Sequence, residues 1–175
     1  MGNTRAWPVL RTAEVSQALD LARRLLSVAD DYSPTSCYLN AWARTESVLE
    51  RLTTAFPDAA TRSYGREGSL FPVEVTFKVG SFEEAAAALR TGMGITPCYV
   101  LWHWIFWPAV PELGLREQHK YAELEIACYS RDIFCEEPAP DHTVFVHAGP
   151  DEDRRAEWLA AQVGAEVIGP PEFGW

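Results

Sequence analysis

The spacing of apolar residues predicts two amphipathic helices at the start of the chain. Over residues 12–29 the apolar positions recur on one face of a helical repeat: Val15, Ala18, Leu19, Ala22, Leu25, Leu26 and Ala29. After a break at residues 30–34, a second helical spacing runs to Pro57 through Leu39, Trp42, Leu49, Leu52 and Phe56. We therefore expect residues 1–57 to form a helical hairpin.

The period changes after a loop at residues 57–72 that is rich in glycine and proline. Apolar and polar residues alternate over residues 73–79, which predicts a half-buried strand. Ser81 and Glu84 then form a capping-box pattern that opens a helix. In residues 98–107 both sets of alternate positions carry apolar side chains, which favours a strand buried on both faces over a helix.

The remaining pattern predicts two more strands, at about residues 120–130 and at 143–147. A helix with acidic residues in its first turn follows and ends at Gly164. Residues 165–168 are expected to form a final strand. The fold class is therefore α+β: the helical hairpin, then a mixed, elaborated βαββαβ-like sheet with helices packed on one face. We expect one domain over residues 1–175, with the sheet core at 73–168 and a tail at 169–175.

Composition restricts the class of protein. A chain of 175 residues with 47% hydrophobic residues can build one real core. Its longest strongly apolar run, Cys98 to Val110, is too short to cross a membrane, and the N-terminus lacks the apolar segment of a signal peptide. The four cysteines form no C-x-x-C pair. We expect a cytoplasmic protein, not bound to a membrane, with reduced, structural cysteines.

Negative charge is concentrated near the C-terminus. Residues 131–175 hold three basic and ten acidic residues, a balance of −7 within a total of −10. A surface of this sign repels nucleic acid and attracts basic proteins, so we expect no nucleic-acid partner. The acids that would form such a patch include Glu136, Glu137, Asp141, Asp151, Glu152 and Asp153. The alternative is that the acids are dispersed and serve solubility.

The chain contains no complete catalytic or cofactor motif. Gly92-x-Gly94 lacks the third glycine of a dinucleotide fingerprint. His142 and His147 are five positions apart in a predicted strand, so they point to opposite faces and disfavour a metal site. We therefore expect no cofactor, no metal, no catalytic residues and no enzymatic activity.

Two further features allow two interpretations each. Glu123 and Glu125 lie about 7 Å apart on one face of a predicted strand. They are either an acid–base pair or, more simply, part of an exposed polar face. The aromatic run at residues 102–107 is either a core strand or a source of anchors for a partner. In the second case the candidate partner-binding residues are Trp102, Trp104, Glu123, Glu125, the six C-terminal acids and Trp175, whose tail otherwise docks on the body.

These features together resemble the immunity proteins of bacterial toxin–immunity pairs, which are small, acidic binders without catalytic apparatus. The resemblance implies a toxin inhibitor that occludes the active site of a basic, nuclease-like toxin through carboxylates and aromatic anchors. The alternative is a small enzyme or ligand-binding domain with a pocket lined by Trp102, Trp104 and Tyr129, with His103 or Glu125 as polar groups. A third possibility is a subunit of a larger assembly.

Overall fold

Helices cover one face of a long antiparallel sheet in the computed structural model, which describes residues 4–33, 36–66, 68–91, 93–150 and 152–174. The helices in these residues are α1 (Val15–Val28), α2 (Glu46–Ala55), α3 (Phe82–Thr91) and α4 (Asp153–Gln162), with a short 3-10 turn at Pro111–Leu113. The strands are β1 (Arg5–Thr12), β2 (Asp31–Tyr32), β3 (Cys37–Ala43), β4 (Ala60–Ser63), β5 (Val73–Val79), β6 (Cys98–Trp102), β7 (Ile105–Phe106), β8 (Glu123–Cys128), β9 (His142–Ala148) and β10 (Glu172–Phe173).

Within the described ranges, eight strands form the main sheet in the order β10-β1-β9-β8-β6-β3-β5-β4, and every neighbouring pair is antiparallel. Strands β2 and β7 form a separate small ribbon. Three helices each connect two strands that have one other strand between them in the sheet: α2 crosses over β5, α3 over β3, and α4 over β1. All four helices contribute side chains to one core cluster, so they lie on the same face.

Side chains of the central strands alternate between two buried faces. In β6, Cys98, Val100 and Trp102 join the core beneath the helices, whereas Tyr99 and Leu101 pack on the opposite face. The loop at residues 129–141 covers part of that opposite face with buried side chains of its own. The two-sided burial predicted for a strand at residues 98–107 is therefore confirmed for residues 98–102, but this strand ends at Trp102 and the short strand β7 follows at Ile105–Phe106.

The covering loop is held in shape by one carboxylate. Asp132 Oδ1 accepts hydrogen bonds from the backbone N–H groups of Phe134 and Glu136, both at 3.0 Å. Its Oδ2 accepts from the Glu137 N–H at 3.2 Å and from the Ser130 hydroxyl at 2.9 Å. These bonds satisfy the turn's backbone donors where no strand partner supplies an acceptor.

The structure confirms the α+β class and corrects its details. The predicted hairpin of residues 1–57 is not found among the described residues, because β1 precedes α1, and β2 and β3 separate it from α2. Strand β3 alternates with period two along 37–43, and the single helical spacing drawn through it had merged a strand with a helix. The sheet is antiparallel rather than mixed. The predicted strand at 165–168 is absent from these described positions, and β10 pairs with β1 instead.

The predicted strand at 73–79 coincides with β5, and the strands near 120–130 and 143–147 correspond to β8 and β9. Among the described residues, no helix has the length and apolar character needed to span a bilayer.

Candidate functional site

A cleft of about 410 Å³ opens where strands β6 and β8 meet. The register of the two strands pairs Trp102 with Leu124, so the next residue of each chain segment, His103 and Glu123, comes to the cleft wall. Both project on the face away from the helices, because Trp102 and Leu124 point into the helix-covered core. The wall is completed by Trp104, His119, Lys120, Tyr121 and Ala122.

His103 is held by a carboxylate at the cleft wall. Its Nδ1 lies 2.7 Å from Oε1 of Glu123, and its ring meets the ring of Tyr38 edge-on with 5.5 Å between centroids. Because Nδ1 is engaged by Glu123, Nε2 is the ring nitrogen that can meet a ligand. The side chain of His103 is partly exposed, whereas that of Glu123 is mostly buried.

A second histidine and a second glutamate continue this arrangement into the protein. Glu123 Oε2 lies 3.6 Å from Nδ1 of His147, and Nε2 of His147 lies 3.0 Å from Oε2 of Glu125. His147 and Glu125 are completely buried. We call the series His103, Glu123, His147 and Glu125 the acid–histidine chain, since it leads from the cleft to the interior through alternating titratable groups.

The surroundings shift the pKa values of the two carboxyl groups in opposite directions. Burial raises the pKa of Glu125 to about 7, and the nearby His147 offsets only part of this effect. Burial also acts to raise the pKa of Glu123, but the hydrogen bond from His103 and the proximity of His147 outweigh it, so the net shift is downward. At neutral pH, Glu123 is therefore ionised while Glu125 is poised near half protonation. Carboxyl pairs separated in this way are characteristic of acid–base sites.

The acid–histidine chain also contains unsatisfied polar atoms. Among the described residues, Glu123 Oε2, Glu125 Oε1 and His147 Nδ1 are buried without a hydrogen-bond partner. The C-terminal segment approaches His147 closely, since a Cβ added to Gly174 would lie 3.3 Å from His147 Nδ1. Two of these atoms, Glu123 Oε2 and His147 Nδ1, face each other at 3.6 Å, a distance longer than a hydrogen bond. Incompletely paired polar atoms gathered in one buried place are compatible with a catalytic role.

Strained backbone flanks the cleft. Trp104 and Tyr121 both adopt left-handed conformations, with φ of 55° and 69°, although neither is glycine. Such residues cluster at binding and catalytic sites, where the surrounding fold holds them. Trp104 remains 63% exposed, and the Lys120 ammonium lies 4.7 Å from the centre of the Tyr121 ring. The cleft therefore offers aromatic surface and a cation beside His103.

The structure separates the predicted partner-binding residues. Trp102 is completely buried and stacks on Phe82 with 5.4 Å between ring centroids, so it is core rather than anchor. Glu125 is equally buried, which corrects the exposed polar face expected for Glu123 and Glu125. Trp104 is the member of the aromatic run that reaches the surface.

The C-terminal acids that lie among the described residues do not gather into one patch. Arg131 donates a bidentate pair of hydrogen bonds to the carboxylate of Asp141. Glu152 forms an ion pair with buried Arg155, with 2.6 Å between Oε2 and Nε. The exposed pair Glu136 and Glu137 lies on the loop over one face of the sheet, whereas Asp153 begins the helix on the other face. Asp151 and Trp175 lie outside the described residues.

The pocket proposed from the sequence is also rearranged. Trp104 and His103 do line the cleft, but Tyr129 lines a different groove, and Trp102 and Glu125 are sealed in the interior. The sequence analysis missed His147, which was considered only as a metal ligand. Its partner could be found only from the register of β8 and β9, which pairs His147 with Glu123.

Within the described part of the chain, no group of three or more histidine, cysteine or acidic side chains has the arrangement of a metal site. Comparisons with protein-family models, with curated proteins and with solved structures found no match.

Proposed function

We propose that this protein binds a small molecule in the cleft and exchanges a proton with it through His103. The acid–histidine chain is the observation that carries the proposal. It joins a partly exposed imidazole to an ionised glutamate and, behind it, to a buried histidine–glutamate pair. A ligand-binding or enzymatic domain was the alternative expected from the sequence, with a different set of lining residues.

The roles of the residues follow from their protonation. An ionised Glu123 can only accept hydrogen bonds, so Nδ1 of His103 carries the ring proton and Nε2 carries the lone pair. Nε2 removes a proton from an O–H, N–H or activated C–H group of the bound molecule. Glu123 stabilises the imidazolium that forms. General-base catalysis of this kind contributes roughly 10²- to 10⁴-fold to a rate.

The lining of the cleft indicates the chemistry of the ligand. Trp104 and Tyr121 offer ring surface for a flat or apolar group. Lys120 and His119, at the same cleft, suit an anionic group such as a carboxylate or phosphate. The favoured ligand therefore combines a planar portion, an anionic group and a proton within reach of His103.

A fragment library screened by two-dimensional NMR tests the proposal. We expect small aromatic acids to shift the indole signal of Trp104 and the backbone signals of residues 119–123. His103→Gln keeps a donor for Glu123 but removes the base, so it should alter the binding of acidic fragments. Leu70→Ala, at an exposed side chain that does not line the cleft, is the control. Fragments that bind elsewhere, or equally to wild type and His103→Gln, would contradict the proposal.

A second candidate is the cytoplasmic toxin inhibitor implied by the resemblance to immunity proteins. Trp104 favours it, because an exposed indole on a fixed corner is a typical interface anchor. The adjoining ribbon pairs β7 with β2, where Asp30 and Asp31 are exposed and could meet a basic surface. In this proposal the docking surface is this corner and not the C-terminal acids.

Stopped-flow association with the protein encoded next to this chain's gene separates the two candidates. An inhibitor should associate rapidly, lose rate as salt rises, and bind more weakly after Trp104→Ala but not after His103→Gln. Association that does not respond to salt or to Trp104→Ala would exclude this candidate.

A further inference from the structure

A second group of chemically active side chains lies on the opposite face of the sheet and at the opposite end of β6 and β8. A groove of about 260 Å³ there is lined by Cys98, Cys128 and His142. The two cysteines are buried, whereas Ile95 on the same groove is 80% exposed, so the sulfurs lie at its inner end. The other lining residues are Val15, Leu89, Arg90, Met93, Gly94 and Tyr129.

The strand register places the two cysteines directly opposite each other. Cys98 pairs with Cys128 across β6 and β8, and both side chains point towards the helices. Directly paired residues of antiparallel strands have Cα atoms about 4.5–5.5 Å apart. This separation falls within the range found in disulfides, about 4.4–6.8 Å. Both cysteines are free thiols in this structure.

The surroundings distinguish the two thiols. A hydrogen bond from Cys98, with a second from His142, lowers the pKa of Cys128 below that of an ordinary thiol. The same hydrogen bond to Cys128 raises the pKa of Cys98. His142 is fixed in turn, since its Nδ1 accepts from the Tyr129 N–H at 3.3 Å and its ring meets the Tyr129 ring edge-on. Cys128 is thus the more acidic thiol of the pair and Cys98 the less acidic one.

We propose that Cys128 and Cys98 form a redox-active site that reduces a small hydroperoxide and closes into a cross-strand disulfide. The Cys128 thiolate attacks the outer peroxide oxygen, so the O–O bond breaks, an alkoxide leaves and takes up a proton, and Cys128 becomes a sulfenic acid. The Cys98 sulfur then attacks the Cys128 sulfur. A disulfide forms, and water leaves with the thiol proton. The peroxide gains the two electrons that the two sulfurs lose.

The other two cysteines provide internal controls. Burial raises the pKa of Cys37 to about 12 and raises that of Cys135 as well. Neither lines the groove. Both should therefore remain thiols while Cys128 reacts, and Cys128 should react at least about ten-fold faster than either.

Mass spectrometry of the folded full-length protein treated with hydrogen peroxide tests this site. We expect the loss of two hydrogens, reversed by a phosphine reductant, and a peptide map that links Cys98 to Cys128. In Cys98→Ser the sulfenic acid should persist and be trapped by dimedone at Cys128, whereas Cys128→Ser should give neither product. Cys37→Ser should behave as wild type.

Three results would overturn the proposal: a disulfide between any other pair, oxidation of Cys37 or Cys135 as fast as Cys128, or no oxidation before the protein is denatured. The peptide map of the wild type decides the matter even where a serine variant fails to fold. His103→Gln should leave the oxidation unchanged, so this test is independent of the proposed function of the cleft.

Discussion

Replacing Glu125 by glutamine should change how the stability of the protein depends on pH. Glutamine has nearly the shape of a protonated glutamic acid and cannot ionise. Burial raises the pKa of Glu125 from its ordinary value of 4.5 to about 7 in the folded protein. Between these values the native state holds a proton that the unfolded chain has released, so the native state loses stability as pH rises.

The magnitude follows from that interval. At 1.36 kcal/mol per pH unit, the contribution of Glu125 amounts to about 3 kcal/mol, fully present below pH 4.5 and lost above pH 7. Most of it falls between pH 5 and pH 8. Glu125→Gln should therefore have nearly the same free energy of unfolding as wild type at pH 5. Between pH 5 and pH 8 the difference between the two proteins should shift by about 2–3 kcal/mol in favour of the variant.

Urea denaturation of both proteins at several pH values provides the assay. Glu136→Gln, at an exposed glutamate, should show the same pH dependence as wild type. A stability difference between Glu125→Gln and wild type that stays constant with pH, or that favours wild type at high pH, would refute the assignment of Glu125 as a buried, poised acid.

Three further substitutions, two of them paired with an exposed control, test the packing and hydrogen bonding of the fold. Arg155→Ala removes a buried guanidinium that is paired with Glu152 and donates to the Pro108 and Arg116 carbonyls, so it should cost about 3 kcal/mol in urea denaturation. Its exposed neighbour Arg154→Ala should cost less than about 0.5 kcal/mol. Trp102→Ala should cost about 3–5 kcal/mol and Trp104→Ala less than about 1 kcal/mol, because only the first empties a core position. Asp132→Ala should accelerate amide hydrogen exchange at residues 134, 136 and 137, because their backbone donors lose its carboxylate, and unchanged exchange there would contradict this role.

Local patterns predicted the elements that have a single, uninterrupted period. Strand β5 alternates along its whole length, and helix α3 carries its capping signals next to its apolar face, so both were predicted closely. Strand β3 was missed because its alternation passes without a glycine or proline into helix α2. A window that spans both segments extends the helical spacing of α2 backwards through the strand.

The candidate site could be predicted only in part for a different reason. Glu123 and Glu125 were correctly expected on one strand face, but their burial depends on what covers that face. On that face His147 of the neighbouring strand lies 3.0 Å from Glu125, and the loop at residues 129–141 packs over part of the sheet. Long-range strand register brings these groups together, and no local period encodes it. Cys98 and Cys128, thirty positions apart in the sequence, meet for the same reason.

The position of the proton on His103 tests the central claim most directly. A long-range ¹H–¹⁵N correlation spectrum distinguishes a neutral imidazole that is protonated on Nδ1 from one that is protonated on Nε2. We expect the Nδ1–H form in the wild-type protein, held by ionised Glu123, and loss of this preference in Glu123→Ala, which removes the acceptor. A wild-type His103 protonated on Nε2, or a tautomer unaffected by Glu123→Ala, would contradict the assignment of His103 as the base of the cleft.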